Sequence, residues 1–335
     1  MAMLFSFSFI FINKSYSQDL HYSQYNYSPL NLNPSNAGFD NADYRLFLNN
    51  RTQWKSVTAP YKTFSVGFDM KTLALGAPRN KPNTGFGLQV NNDKDGDSHL
   101  KTLNIATSFA YFKSLNDSAY VLTGGLQLGY TQKSFDLNDL NFDNQFTGDL
   151  FDPSAPTGEP VTNDKMSYLD LGFGLGAQLF RSDDFQLDAG AAVQHINSPK
   201  NSFYSSGKVN IAPHYIFNTG IRYRLSDQMQ VLPSLLYMKQ NSISEFDINA
   251  QLKYELDNPQ LPVSNIYAGV GMRMKDAIVL NVGADFKNVF AGFSYDINTS
   301  GLKHVSKGRG AIEFALIYKV KTVRSRPPGP PCIIY

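Results

Sequence analysis

The residues best suited to do chemistry form an acidic run, Asp93-Lys94-Asp95-Gly96-Asp97, with carboxylates at its first, third and fifth positions. Calcium loops of the EF-hand type begin in this way, because Ca²⁺ prefers closely spaced oxygen ligands. The glycine is misplaced for such a loop, and Asn104 stands where the bidentate Glu is needed. The sequence therefore favours a solvated hairpin loop over a calcium site.

A second group of carboxylates is spread over one long polar stretch. Its members are Asp136, Asp139, Asp143, Asp149 and Asp152. They could bind divalent cations or ions that bridge lipopolysaccharide. Loops of this composition are more often simply hydrated, so we assign no metal to them.

Other motifs that carry chemistry are weak. In Gly172-Phe173-Gly174-Leu175-Gly176 the glycines alternate with apolar residues as along a strand, and no helix follows to make a phosphate site. The histidines, at 21, 99, 195, 214 and 304, show no metal spacing, and no Gly-x-Ser-x-Gly motif is present. We expect no enzyme, no catalytic residue, no cofactor and no metal. The alternative is an enzyme whose catalytic groups lie in outer loops.

The segments that position these groups are strands, in which apolar and polar residues alternate along the sequence. In Glu245–Leu256 the even-numbered residues are apolar, whereas Glu245, Asp247, Lys253 and Glu255 lie on the opposite face. Such a charged face cannot be the core of a soluble sandwich, because unpaired buried charges are too costly. A transmembrane strand turns its apolar face to lipid and its polar face to a wet lumen.

The same alternation recurs along the chain, as in Ile278–Lys287 and Tyr120–Thr131. We predict an all-β fold, a transmembrane antiparallel β-barrel of about 14 strands over residues 43–319. The predicted strands are 43–51, 61–71, 83–92, 101–113, 119–131, 166–180, 185–196, 212–224, 228–240, 245–256, 265–275, 277–287, 290–297 and 311–319. Most short connections fall on one side, which we predict to be periplasmic, and most long ones fall on the other.

Composition agrees with a barrel in an outer membrane. The chain has 335 residues, of which 17% are charged, and its mean hydropathy is −0.29. No run of 18 apolar residues is present, so the sequence predicts no transmembrane helix. The net charge of +2 points neither to nor away from nucleic acid, and we expect no nucleic-acid partner.

The two ends of the sequence differ from the barrel. The apolar run Leu4–Ile12 and the small residues Ser15 and Ser17 predict a signal peptide over residues 1–17. Residues 320–335 include Pro327-Pro328-Gly329-Pro330-Pro331, which forbids a strand and predicts a Pro-rich periplasmic tail. Cys332 is the single cysteine, so no internal disulfide can form.

Short motifs reveal a family resemblance. In the N-terminal part they are Gln18-Asp19, Ser23-Gln24-Tyr25, Pro29-Leu30, Asn33-Pro34 and Ala37-Gly38. Later ones include Arg51-Thr52-Gln53-Trp54, Tyr61-Lys62-Thr63, Pro233-Ser234-Leu235-Leu236, Phe293-Ser294-Tyr295-Asp296 and Gly310-Ala311-Ile312-Glu313. With these motifs the chain resembles the PorP/SprF family, outer-membrane proteins of the type IX secretion system of Bacteroidetes. Ile312 stands where the family usually has His.

The resemblance implies an outer-membrane location in a Gram-negative bacterium and a part in protein secretion and gliding motility. It implies that the barrel is a scaffold whose partners are periplasmic ring components, a secreted surface adhesin or other client, and outer-membrane lipid. A porin or hydrophobic-substrate channel is the alternative, since charged lumen residues suit a water-filled pore equally well.

The resemblance also singles out residues 18–42 as a periplasmic N-terminal segment that binds a partner. The candidate partner-binding residues are Tyr22, Gln24, Tyr25, Asn33 and Pro34. Tyrosine rings offer amphipathic contact surfaces, and the Asn33-Pro34 bend has few backbone states to lose on binding. The alternative is that this segment only plugs the barrel.

Overall fold

The structure is a computed structural model. It describes residues 19–57, 59–72, 83–96, 100–115, 119–136, 140–146, 148, 150–158, 164–182, 184–203, 209–256, 258 and 260–322. The predicted signal peptide, residues 1–17, lies outside these ranges, as does all but the first three residues of the predicted tail.

The described residues form one closed antiparallel barrel of fourteen strands, in which β1 pairs with both β2 and β14. The strands are β1 (Tyr44–Gln53), β2 (Tyr61–Thr72), β3 (Thr84–Asp95), β4 (Leu100–Leu115), β5 (Tyr120–Ser134), β6 (Lys165–Ser182), β7 (Phe185–Gln194), β8 (His214–Arg224), β9 (Met229–Gln240), β10 (Ile243–Glu255), β11 (Val263–Arg273), β12 (Ala277–Phe286), β13 (Val289–Asn298) and β14 (Arg309–Val320). The predicted all-β barrel and its strand number are confirmed.

The predicted strand boundaries are close to the observed ones. The largest differences are three residues, at the end of β3 (92 predicted, 95 observed) and at the end of β5 (131 predicted, 134 observed). Alternation predicts strands well here because side chains at period two must face either the lumen or the outside.

Outward-facing side chains are apolar and exposed along every part of the wall. In β5 and β12 they include Leu126, Leu128, Leu280 and Val282, each at least 47% exposed. Soluble proteins do not expose a continuous apolar band of this kind, whereas a barrel in a bilayer requires one. The inward-facing residues are mostly buried, and they include polar ones such as Asn49 and Asp296 as well as apolar ones such as Phe47 and Ala315.

Two ends of the barrel are distinguished by strand direction. At the inner end the odd-numbered strands begin and β14 ends; at the outer end the odd-numbered strands end. The long connections 135–164, 195–213 and 299–308 lie at the outer end, and the two-residue turn Lys287-Asn288 lies at the inner end. Bacterial barrels place short turns in the periplasm and long loops outside.

Helices are few and short in the described part of the chain. The α-helices are α1 (Pro29–Leu32) and α2 (Lys303–Ser306), each of four residues. Short 3-10 turns occur at Tyr25–Tyr27, Pro34–Asn36 and Asp143–Gln145. None of these described helices has the length and apolarity that a membrane-spanning helix needs.

Candidate functional site: the lumenal plug

The N-terminal segment lies inside the barrel. We call residues 19–43 the plug. It carries α1 and two of the 3-10 turns, and it runs from the outer end of the lumen to the inner end, where β1 begins. Leu30 and Ala37 are completely buried, and Tyr22 is only 3% exposed. The segment predicted to lie in the periplasm therefore fills the lumen instead.

An outer anchor holds the start of the plug. Asp19 Oδ2 lies 2.7 Å from His195 Nε2 and 3.3 Å from His214 Nδ1, and it accepts a hydrogen bond from Gln240 Nε2 at 2.9 Å. These three partners stand where β7 ends, β8 begins and β9 ends, which are all at the outer end. The other ring nitrogen of His195 lies 2.8 Å from Asp170.

Two carboxylates thus flank the His195 ring. Burial by itself would lower the pKa of His195, but Asp19 and Asp170 outweigh it and raise the pKa to about 10. For Asp19, burial would raise the pKa, but His195 and His214 hold it well below the ordinary range. At neutral pH the outer anchor is therefore an ion pair between a protonated histidine and a carboxylate.

Below the outer anchor lies a buried network that we call the arginine cluster, formed by Arg51, Arg273, Asp296, Glu313, Glu245 and Asp247. Arg51 contacts Asp296 at 2.9 Å and Glu313 at 3.0 Å. Arg273 lies 3.4 Å from both Asp296 and Glu245 and 3.6 Å from Asp247. Arg273 also contacts Asp276 at 2.9 Å. Both guanidinium groups are at most 3% exposed, and pairing with carboxylates makes their burial tolerable.

Ser23 of the plug joins the arginine cluster at its centre. Its hydroxyl donates to Asp296 and accepts from Arg51 and from Arg273, both at 2.6 Å. A hydroxyl offers one donor and two acceptor positions, and all three are used here. The backbone N–H groups of Ser23 and Gln24 donate to the two oxygens of Glu313 at 2.9 and 2.8 Å. The wall therefore binds the plug backbone through a charged group.

Tyrosine hydroxyls link the middle of the plug to three sides of the wall. Tyr22 is hydrogen-bonded to Ser65 on β2, and Tyr25 to Ser234 on β9 at 2.8 Å. The hydroxyl of Tyr27 donates to Gln251 on β10 at 2.9 Å, while its ring stacks on Phe290 with centroids 4.1 Å apart. Tyr22 and Tyr25 are buried and Tyr27 is partly buried, and each hydroxyl has a hydrogen-bond partner, as folded proteins require of buried polar groups.

A second anchor holds the plug near the inner end. The backbone N–H of Gly38 donates to Asp69 at 3.1 Å, and Asp69 also accepts from Arg45 Nε at 3.1 Å. Gly38 has a φ of +65°, a conformation that favours glycine. The wall needs a glycine where the plug approaches it closely, since a Cβ at Gly85 of β3 would overlap the carbonyl of Ala37.

The five predicted partner-binding residues are all buried in the lumen. Tyr22, Tyr25 and Gln24 have the contacts described above. Asn33 donates to the Leu175 carbonyl at 2.9 Å and accepts from Ser35 N–H, and Pro34 packs beside it. A Cβ at Gly174 of β6 would overlap Asn33, so the plug occupies the space beside this glycine. Partner binding by these residues stays a prediction.

The predicted acidic loops do not converge on a cation site in the described chain. Asp93 and Asp95 belong to β3, where Asp93 accepts from Thr63, and Asp97 lies outside the described residues. Of the second acidic group, Asp139 and Asp149 also lie outside, and Asp152 accepts from Ser154. No set of three His, Cys, Asp or Glu side chains among the described residues could hold a metal.

Functional residues that the sequence did not single out are those of the arginine cluster and of the outer anchor. Arg51, Arg273, Asp296 and Glu313 were each part of a strand or of a family motif. The sequence did contain a signal for this cluster. These four ionisable residues lie near the outer ends of strands, on the side that faces the lumen, and buried charges there need partners. The sequence predicted a wet lumen for Glu245 and Asp247; they do face the lumen, but there the plug and Arg273 bury them.

The inner half of the lumen remains open and forms a cavity of about 1420 Å³, which we call the vestibule. Its roof is the underside of the plug, including Tyr27, Leu32 and Phe39. Its wall is formed by the inner ends of the strands from β5 to β14.

A closed fourteen-stranded barrel with an apolar outer face defines the class, a barrel protein of an outer membrane. Among solved structures, the toluene transporter TbuX of Ralstonia pickettii is similar, with a TM-score of 0.51 and 10% identity over 89% of this chain and 94% of that one. The toluene transporter TodX of P. putida gives 0.49 and 10% over 88% and 93%, and a FadL homologue of Pseudomonas aeruginosa gives 0.45 and 11% over 86% and 92%. At such identities the likeness shows the fold alone.

The family is settled by sequence. Residues 14–318 match the model of the type IX secretion system membrane protein PorP/SprF, so the chain belongs to that family. A comparison with curated proteins gives no match. Family and fold together support an outer-membrane location, and they are those of a secretion-system barrel rather than of a known enzyme class.

Proposed function

We propose that this barrel is a plugged scaffold of the type IX secretion system, which helps client proteins such as gliding adhesins to reach or stay on the cell surface of a bacterium of the Bacteroidetes. The observation that carries the proposal is the plug. It is fixed to the wall at both ends, and the buried arginine cluster joins it to β1, β11, β13 and β14. A lumen closed in this way suits a structural role better than conduction.

The proposed arrangement places the inner end in the periplasm, because most of the short turns lie there. Periplasmic ring components would bind at this end, and clients would contact the long loops at the outer end. Long surface loops on a rigid scaffold are the usual carriers of recognition.

The scaffold is tested in cells by deleting the gene and measuring which type IX clients remain on the surface. We expect one or more clients to be lost while other outer-membrane barrels assemble normally. Reintroducing the wild-type gene is the control. Full surface display of every type IX client in the deletion strain would contradict the proposal.

The channel alternative is tested in planar bilayers with the purified full chain. A plugged scaffold shows no steady ion conductance, whereas a porin or substrate channel does. Steady opening of the wild-type protein would overturn the scaffold proposal in favour of a channel. The Arg51→Leu variant is the matched control, because loss of the arginine cluster should free the plug and produce current through the same barrel.

We also propose that Tyr22, Gln24, Tyr25, Asn33 and Pro34 bind a periplasmic ring component. This requires the plug to leave the lumen, since all five are now buried against the wall. Deleting residues 19–38 should leave a heat-modifiable barrel and abolish co-purification of the ring component. Unchanged co-purification with the truncated barrel would show that the plug is not the docking element.

A further inference from the structure

The vestibule is too large for an ordinary small-molecule site. Its volume of about 1420 Å³ exceeds the range of roughly 300–1,000 Å³ typical of ligand pockets. It is open at the inner end, and the plug closes it towards the outer end. A space of this shape suits the end or loop of a polymer better than a small solute.

Charged side chains dominate the vestibule wall, and cations exceed anions. Among the described residues, eight cationic ones line it: Arg45, Arg181, Arg222, Arg224, Lys253, Lys287, Lys319 and Lys321. Four acidic ones from the same part of the chain line it: Asp40, Asp184, Asp188 and Asp285. The difference of four positive charges faces one enclosed space with low-dielectric walls, which strengthens the local potential.

The anions of this wall already have donors. Asp188 accepts from Gln178 and Gln186, and Asp285 accepts from Asn265 and Tyr267. Asp40 pairs with Arg45 and Lys319, and Asp184 lies 3.7 Å from Arg224. Asp40 and Asp184 are thus paired with cations, whereas Asp188 and Asp285 are held by neutral donors and form no ion pair with a described cation within 4.0 Å.

Several cations, by contrast, have no acceptor. Within the described residues, Arg222, Lys253 and Lys287 form no side-chain hydrogen bond and no ion pair within 4.0 Å, although each faces the vestibule. Strand register brings two cations together, since Gln230 of β9 stands opposite Arg224 of β8 on one side and Lys253 of β10 on the other. These cationic side chains form a basic surface suited to an anionic ligand.

The chemistry of the surroundings favours polypeptide as that ligand. The outer half of the same lumen already holds a polypeptide segment, the plug, bound through side chains and backbone N–H groups. The aromatic rings of Tyr27, Tyr267 and Phe290 line the same cavity and can pack against side chains. The chain's own tail does not complement the site, because residues 320–335 contain Lys321, Arg324 and Arg326 and no acidic residue.

We propose that the vestibule binds an extended, acidic segment of a periplasmic partner protein, with Arg222, Lys253 and Lys287 as its main contacts. This deepens the proposed function, on which it rests for the source of the segment. Binding from the inner end would leave the plug in place and would give a partner a charged socket inside the membrane-embedded wall.

The test uses the full chain in lipid nanodiscs and a fluorescein-labelled peptide of alternating Asp and Ser, about ten residues and ~33 Å long when extended. We expect saturable binding by fluorescence anisotropy, no binding of the Asn-Ser peptide of equal length, and loss of binding in 1 M salt, where the Debye length falls to about 3 Å. Equal binding of the acidic and neutral peptides would overturn the proposal. Oligogalacturonate bound as tightly as the acidic peptide would overturn it too, in favour of a carboxylated sugar.

Variants then locate the site. The double variant Arg222→Gln/Lys253→Gln should weaken binding of the acidic peptide by about tenfold or more. The control, Lys101→Gln/Lys165→Gln, removes the same charge from exposed residues at the outer end and should leave binding unchanged. If both double variants lost binding of the acidic peptide equally, the effect would be one of overall charge and the vestibule would not be the site. If the gene-deletion strain loses clients but the peptide does not bind, the scaffold proposal stands and the vestibule proposal is rejected.

Discussion

The outer and inner halves of the lumen share one wall but differ in how its charges are satisfied. In the outer half, Arg51 and Arg273 are buried against carboxylates and against Ser23 of the plug. In the inner half, Arg222 and Lys253 face an open cavity without an acceptor among the described residues. The two arginines beside the plug are therefore paired, whereas Arg222 and Lys253 beside the open cavity are not.

The difference between the two halves of the lumen is tested first by replacing a buried arginine, for which the largest effect is expected. Arg51→Leu removes the guanidinium that pairs with both Asp296 and Glu313 and should lower the free energy of unfolding by about 3–5 kcal/mol. Arg224→Leu removes an exposed pair with Asp184, 3.7 Å long, and should cost about 0–1 kcal/mol. Denaturant unfolding in lipid vesicles measures both. Equal values would mean that the two halves do not differ.

The second test compares the lipid face with the vestibule face. Ile248 lies mid-strand in β10 and faces outward, 43% exposed, so Ile248→Lys should cost about 2–4 kcal/mol. Gln178 faces the vestibule and already donates to Asp188, so Gln178→Lys keeps a donor beside that carboxylate. Its expected cost is below about 1 kcal/mol. A larger cost for Gln178→Lys in the same vesicle assay would reverse the assigned faces.

The third test uses pH to release the outer anchor. His195 has a pKa raised from 6.5 to about 10, so its contribution is complete below pH 6.5 and is lost as pH rises through 10. The lowered pKa of Asp19 adds stability that is present above pH 3.8 and is lost on acidification.

We therefore expect hydrogen exchange at the start of the plug to accelerate near pH 10, relative to a free peptide of the same sequence at each pH. His195→Gln should remove this pH dependence. Acceleration that is as large in the variant as in the wild type would show that another group controls the anchor.

The smallest expected effect distinguishes one hydroxyl of the plug from one at the inner rim. Tyr25→Phe removes the buried bond to Ser234 and should cost about 0.5–1.5 kcal/mol. Tyr254→Phe removes an exposed bond to Gln228, 3.0 Å long, and should cost close to nothing. Thermal unfolding in detergent resolves the two, and an equal loss would mean that the Tyr25 bond is no stronger than a solvated one.

The strands could be predicted because their signal is local. In β10 and β12 most polar residues face the lumen and most apolar ones face outward, so alternation locates the strands without knowledge of their neighbours, although Val279 is apolar and buried on the lumen side. The plug could not be placed in this way. Ser23 meets Glu313 and Asp296 across separations of 290 and 273 residues, and no local pattern records such a contact. The tyrosine-rich composition of the plug fits a docking segment as well as a lumenal one.

The route of the plug also determines the order in which the barrel can assemble. The plug continues directly into β1, and β1 closes the barrel by pairing with β14, whose Glu313 binds the plug backbone. If β1 closed on β14 first, Asp19 would have to travel the whole length of a sealed lumen to reach His195. Entry of the segment while the seam between β1 and β14 is open avoids this passage. Seam closure is then a late step that joins strands far apart in sequence, and contacts of that kind form slowly.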